Sequence, residues 1–213
     1  MLFPLAFHTN DSPRVVVTGA GIITSLGCGW EKNAEGFRTG RTAIRPVTLF
    51  DVSGQRAKVA GEVDLPGELP RTKLSSRTVK RMDRAAKLLL HAGYEAWQQA
   101  GWAPGEENPL VLGTTGGGMR LGEALYRQAI ATPRSNCSQA SRVVHYQPQR
   151  QAMDLAEALG FSGPIIIIAN ACASGANAVG HAWELLDQAT SRPLGNTPNC
   201  FRADSDSPSG RSA

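Results

Sequence analysis

The chain has 213 residues, 41% of them hydrophobic and 19% charged, with a formal net charge of +4. That apolar content supports a sizeable core and a soluble globular protein, and no Lys/Arg block is dense enough to read as a nucleic-acid tail. The longest strongly apolar run, Ile165 to Ala169, is far too short to span a bilayer, and the opening MLFPLAFHTN lacks the basic n-region of a secretory signal.

In chain order, Arg14 to Thr18 (RVVVT) is a β-branched run ending in Gly19-Ala20-Gly21, which predicts a buried strand entering a tight turn. A short helix is expected around Trp30 to Arg38, then short strands or loops punctuated by Gly and Pro up to Pro70. From Arg81 to Ala100, the residues Met82, Ala85, Leu88, Leu89, Ala92, Ala96 and Trp97 recur at helical spacing, and Gly101 supplies a stop. Pro109 to Gly113 reads as a short buried strand, followed by Gly116-Gly117-Gly118 and a helix over Leu121 to Ala131. Pro133 to Gln147 is polar and irregular, and Arg150 to Leu159 reads as a helix that stops at Gly160. A strand over Ile165 to Ala169 then leads through Asn170-Ala171-Cys172 into a helix running to about Leu186. Strands alternating with helices argue for an α/β layer architecture. From Asp187 onward the chain is rich in Ser, Pro, Arg and Asp, a composition that predicts disorder.

Three segments offer chemistry. Gly19-Ala20-Gly21-Ile22-Ile23-Thr24 after a strand invites a dinucleotide reading, but Thr24 stands where a third glycine belongs and no acidic residue closes a second strand about 20 positions on. A structural turn is the better reading, with a nicotinamide oxidoreductase as the weakest alternative. Gly113-Thr114-Thr115-Gly116-Gly117-Gly118 lacks the Lys of a phosphate loop, because Met119-Arg120 follows it, and it too reads as a sharp structural turn. In Asn170-Ala171-Cys172-Ala173-Ser174-Gly175, a cysteine sits where a strand turns into a helix. Small neighbours leave room at its sulfur, and a helix N-terminus favours thiolate. The competing reading is a small buried hydrophobe. Four cysteines (Cys28, Cys137, Cys172, Cys200) are irregularly spaced with no CxxC, which predicts reduced thiols in the cytoplasm and no zinc site. His8, His91, His145 and His181 form no motif.

Together these landmarks resemble the β-ketoacyl-[acyl carrier protein] synthases of the elongating, type II fatty-acid kind. The matching segments are Val15-Val16-Val17-Thr18-Gly19-Ala20-Gly21 with Ser25-Leu26-Gly27, Lys80-Arg81-Met82-Asp83-Arg84, Gly113-Thr114-Thr115-Gly116-Gly117, and Asn170 through Ala182, in the family's order. The resemblance implies the N-terminal half of a thiolase-like layered α/β fold, a mixed sheet flanked by helices, over residues 14–186. Residues 1–13 are then an N-terminal extension and 187–213 a divergent, disordered tail. It further implies that Cys172 accepts an acyl chain as a thioester, without a bound cofactor, for condensation with a malonyl-loaded carrier. Acyl carrier protein is the implied partner, docking on Arg77, Lys80, Arg81 and Arg134, and the strand Ile165 to Ile168 would lie at a homodimer interface. The bland reading of those cations is a solvated helix end. His181 reads as structural.

The family carries two catalytic histidines, a lysine and a glycine-rich segment around a phenylalanine in a C-terminal half that repeats the fold. No His-Gly-Thr and no Asn-Ser-Phe-Gly occurs in this sequence, and the match breaks near Asp187. The expectation is a truncated or frame-shifted reading frame that is catalytically incomplete on its own. A non-catalytic fragment or partner subunit of a condensing enzyme is the alternative of a different class, and Cys172 weighs against the partner-subunit version.

Overall fold

The computed structural model of the chain describes residues 15–105, 107–132 and 141–191. In its first part, β1 (Ile23–Thr24) and β2 (Gly27–Cys28) pair antiparallel and lead into α1 (Trp30–Arg38), the helix expected there. The buried Asn33 side chain ties the helix to the hairpin, donating to the carbonyls of Gly27 (2.9 Å) and Gly29 (2.8 Å). A second antiparallel pair, β3 (Arg45–Pro46) and β4 (Val59–Ala60), is buttressed by Glu62. This carboxylate accepts from the Thr48 and Leu49 amides (both 2.8 Å) and from the Thr48 hydroxyl (2.9 Å). Those bonds, the Leu49 amide foremost, hold it below the usual carboxylate range.

The strand expected over Arg14 to Thr18 does not form among its described residues, 15–18. Val17 is 76% exposed, and no strand among the described residues pairs with the segment. The following turn bonds to a helix instead: the Ala20 amide donates to the Gln99 side chain (2.7 Å) and the Ile22 amide to Glu95 (2.9 Å). A β-branched run becomes a strand only where a partner takes its backbone groups.

The helix expected from Arg81 is split. Ser75 caps α2 (Ser76–Arg81), accepting from the Thr78 amide at 3.1 Å. Met82 then turns extended and buries its side chain, and Asp83 caps α3 (Arg84–Ala100), accepting from the Ala86 amide at 2.8 Å. Each cap satisfies an amide at the start of its helix, and the break between them leaves Met82 buried in the core. The buried residues of α3 are Ala86, Leu90 and His91; of the periodic positions, Met82 lies in the core and Leu89 and Trp97 pack against it, whereas Ala85 is exposed. Gly101 ends α3 in the left-handed region, as expected.

Next come β5 (Leu110–Gly113), α4 (Met119–Ala131), α5 (Ser141–Tyr146), α6 (Pro148–Leu159), β6 (Ile165–Ile168), a 3-10 turn over Ala171–Ala173 and α7 (Ser174–Ser191). Helix α5 corrects the expectation of irregular chain over Pro133 to Gln147; residues 133–140 lie outside the described part. It forms by packing on α4, where Gly122 leaves space for the Tyr146 ring. Helix α7 passes the expected end near Leu186 and takes in residues 187–191, which the disordered-tail reading had claimed; residues 192–213 and 1–13 lie outside the described part.

The core joins Met82, Ala86 and Leu90 to Leu155, Ala158 and Leu159 of α6, with Trp97, Leu110 and Phe161 packed against it. The Gln151 amide of α6 also reaches the Asp83 cap (3.2 Å). Strands β5 and β6 pair parallel in the register Leu110↔Ile165 to Gly113↔Ile168. Successive side chains of a strand point to opposite faces. Leu110 meets the α3–α6 core, so Gly113 faces the other way, onto the first turn of α7. Helices thus cover both faces of the pair, the layered α/β arrangement expected, and β6 delivers the chain to Cys172.

Candidate functional site

The site is an elbow between a half-buried strand and a helix. The β5–β6 ladder runs one step past the strands, the Thr114 amide donating to the Ile168 carbonyl at 3.0 Å. The chain then bends sharply: Ala171 lies at φ 57, the one non-glycine residue with positive φ among the described residues. That region is disfavoured for any residue with a Cβ, by roughly 1–2 kcal/mol, and persists where surroundings hold it. Cys172 follows in the 3-10 turn, immediately before α7, with an exposed side chain and no disulfide.

Ser174 is only 3% exposed, and its hydroxyl is used twice: it accepts from the Asn170 amide (3.0 Å) and donates to the Ala171 carbonyl (2.7 Å). Thr115, in the turn after β5, donates to the same carbonyl at 3.3 Å. Neither hydroxyl was singled out by sequence reasoning. The signal available was a Ser two residues past the cysteine, since Ser and Thr favour bonds to nearby backbone. Along α7, Ser174, Ala178 and Leu186 are buried, while Val179 (71% exposed) and Trp183 (40%) are exposed.

Both glycine-rich segments have structural work. A Cβ on Gly19 would stand 2.2 Å from the Ala96 carbonyl oxygen, and one on Gly21 1.9 Å from that of Ala92. These glycines let the turn lie on the small-residue stripe of α3, the structural role expected for them. Gly117 and Gly118 likewise lie against Pro148 and the His145 carbonyl.

Arg77, Lys80 and Arg81 all lie on α2, are exposed, and at i, i+3 and i+4 share one face. None has a carboxylate partner among the described residues. Arg134 lies outside the described residues. His181 pairs with Glu184 along α7 (3.4 Å), and His91 is buried in α3, where burial lowers its basicity. Among the described residues no three His, Cys, Asp or Glu side chains converge to hold a metal ion, and no helix is long and apolar enough to cross a membrane.

Residues 12–191 match the family described as beta-ketoacyl synthase, N-terminal domain. The chain is 31% identical over 190 residues to the 3-oxoacyl-[acyl-carrier-protein] synthase 2 of Synechocystis sp., covering 86% of this chain and 44% of that protein. Among solved structures, the ishigamide ketosynthase/chain length factor superposes with a TM-score of 0.73 at 27% identity, covering 84% of this chain and 45% of the other. A type II PKS acyl-carrier protein in complex with its ketosynthase, bound to the hexaketide, superposes with a TM-score of 0.63 at 19% identity, covering 84% and 43%. The chain therefore spans somewhat under half the length of these relatives.

Proposed function

The chain belongs to the beta-ketoacyl synthase family, and on that premise we propose that Cys172 is its acyl acceptor, taking an acyl chain from acyl carrier protein in fatty-acid or polyketide-type synthesis. The observation that carries this reading is the elbow: an exposed thiol on a turn held in the left-handed region, at a helix N-terminus, among small residues. In the proposed step the Cys172 thiolate attacks the carrier's thioester carbonyl. The new carbon–sulfur bond forms, the old one breaks, and the carrier leaves as a thiol carrying the proton that Cys172 gave up. In the complete reaction of the family a malonyl-carrier then loses CO2, and the carbanion displaces the Cys172 sulfur to give a 3-oxoacyl product. Those later steps draw on groups of the family's C-terminal half, and the step proposed for the matched N-terminal domain is acyl acceptance. A reduced thiol is required, as a cytoplasmic setting would provide.

The carrier reading is supported by the cationic face of α2, which has no carboxylate partner among the described residues, because carrier proteins of this type are acidic and a few charges steer association. It gains further support from the carrier complex of the structural neighbour. Arg134 belongs to the proposed patch by motif position alone. The test is direct: incubate the folded chain with an acyl-carrier thioester and measure intact mass. A gain of one acyl group supports the reading; an unchanged mass sinks it in favour of a non-catalytic partner subunit.

The second copy of the chain is proposed at the edge of β6 that no strand among the described residues covers. In the parallel ladder, the Leu110 amide bonds to Pro164 and the Thr114 amide to Ile168, so the alternating backbone groups of Ile165 and Ile167 point away from β5. An edge of four isoleucines invites a second strand. Ile167→Pro removes an outward amide while sparing the bonds to β5. Light scattering is expected to show a dimer for the wild type and a monomer for the variant; a monomeric wild type would discard the dimer.

A further inference from the structure

We infer that Ser174, seconded by Thr115, is a positioning residue that presents the Cys172 thiol by clamping the carbonyl of Ala171. The inference rests on the reading of Cys172 as the acyl acceptor and adds the device that holds it. Three donors converge on that one carbonyl: the Ser174 hydroxyl (2.7 Å), the Thr115 hydroxyl (3.3 Å) and the Ser174 amide that closes the 3-10 turn. The carbonyl of Ala171 and the amide nitrogen of Cys172 belong to a single planar peptide group. Fixing the carbonyl therefore fixes the plane from which the Cys172 side chain departs.

The clamp has something to resist. Ala171 is held at φ 57, and without tethers a residue with a Cβ relaxes to negative φ, swinging the next residue with it. Ser174 also grips the other side of the bend through the Asn170 amide (3.0 Å), so one buried hydroxyl spans the elbow. Thr115 arrives from a different element. Its turn is set by the β5–β6 ladder, which continues to the Thr114 amide on Ile168, so the elbow is referenced to the sheet as well as to α7. This gives the Gly113-Thr114-Thr115 segment a role in the site that its glycines alone do not explain.

Alkylation by iodoacetamide, followed at Cys172 by peptide mass spectrometry with Cys28 as internal reference, reads the clamp without any carrier protein. Ser174→Ala, which loses two hydrogen bonds, is expected to slow alkylation of Cys172 roughly tenfold, and Thr115→Val, which loses one, roughly threefold. Thr115→Ser, which keeps the hydroxyl, should react at the wild-type rate, and Cys28 should be unmoved in every variant. The double variant should fall short of the product of the two single effects, because both act through one carbonyl. Wild-type rates at Cys172 in both Ser174→Ala and Thr115→Val would overturn the clamp, as would equal losses in Thr115→Val and Thr115→Ser. If Ser174→Ala fails to fold, the Thr115 pair decides. A wild-type chain that alkylates at Cys172 yet takes no acyl group from a carrier thioester overturns the functional reading and leaves the clamp standing.

Discussion

Cys172→Ala is expected to take no acyl group from a carrier thioester while keeping the wild-type fold. Its side chain is exposed and lies outside the core of α3 and α6, so losing the sulfur opens no cavity, and the stability change should stay within about 0.5 kcal/mol. Far-UV circular dichroism and thermal melting check that part. Intact mass checks the chemistry: one acyl increment in the wild type and none in the variant. The other described cysteine is a poor substitute. Cys28 is half-buried, and burial, reinforced by the Glu95 carboxylate, pushes its thiol up and leaves little thiolate at neutral pH. Peptide mapping locates any residual label, and full acylation of the Cys172→Ala chain at another residue would move the assignment away from the elbow.

Gly113→Ala is expected to disable the elbow from behind. A Cβ at Gly113 would lie 2.3 Å from the Ser174 carbonyl oxygen, 2.6 Å from its carbonyl carbon and 2.8 Å from the Gly175 nitrogen. All three are backbone atoms of the first turn of α7, so no side chain can step aside; either β5 or that turn must shift. Overpacking of this kind costs about 1–3 kcal/mol. For a chain of this size that lowers the melting temperature by about 2–12 °C. The larger effect should fall on Cys172, whose turn is continuous with the displaced helix. Misplacing a reacting group by about 1 Å costs on the order of a hundredfold in rate. Acylation rate and melting temperature, measured on one preparation, separate the two effects. A variant that melts low but acylates at the wild-type rate would show that the first turn of α7 does not place the thiol.

Elements with local signals are legible in the sequence. Helix α6 has Pro148 in its first turn and Gly160 after its last, and α1 was read with its observed ends. The short apolar runs at Leu110–Gly113 and Ile165–Ile168 are both strands. Elements that depend on a partner were not legible. Val15 to Thr18 carries a strand composition, yet its continuation bonds to Glu95 and Gln99 on a helix more than seventy residues away. Helix α5 looked irregular because its six residues are stabilised by packing on α4 rather than by their own periodicity. The split at Met82 follows from burial of that side chain, which outweighs the continuity of a helical pattern.

At the elbow, the sequence by itself determined the order strand, cysteine, helix, and the small residues around the thiol. Those are properties of neighbouring residues, and the helix that follows a strand needs no distant information. Only the tertiary structure decided what holds the thiol in place. Thr115 reaches the Ala171 carbonyl across 56 positions, and Gly113 abuts Ser174 across an even larger gap. Both contacts exist because parallel pairing of β5 with β6 sets the ends of the two strands side by side. Parallel strands are joined only by a long crossover, so residues that meet at their ends are necessarily remote in the chain.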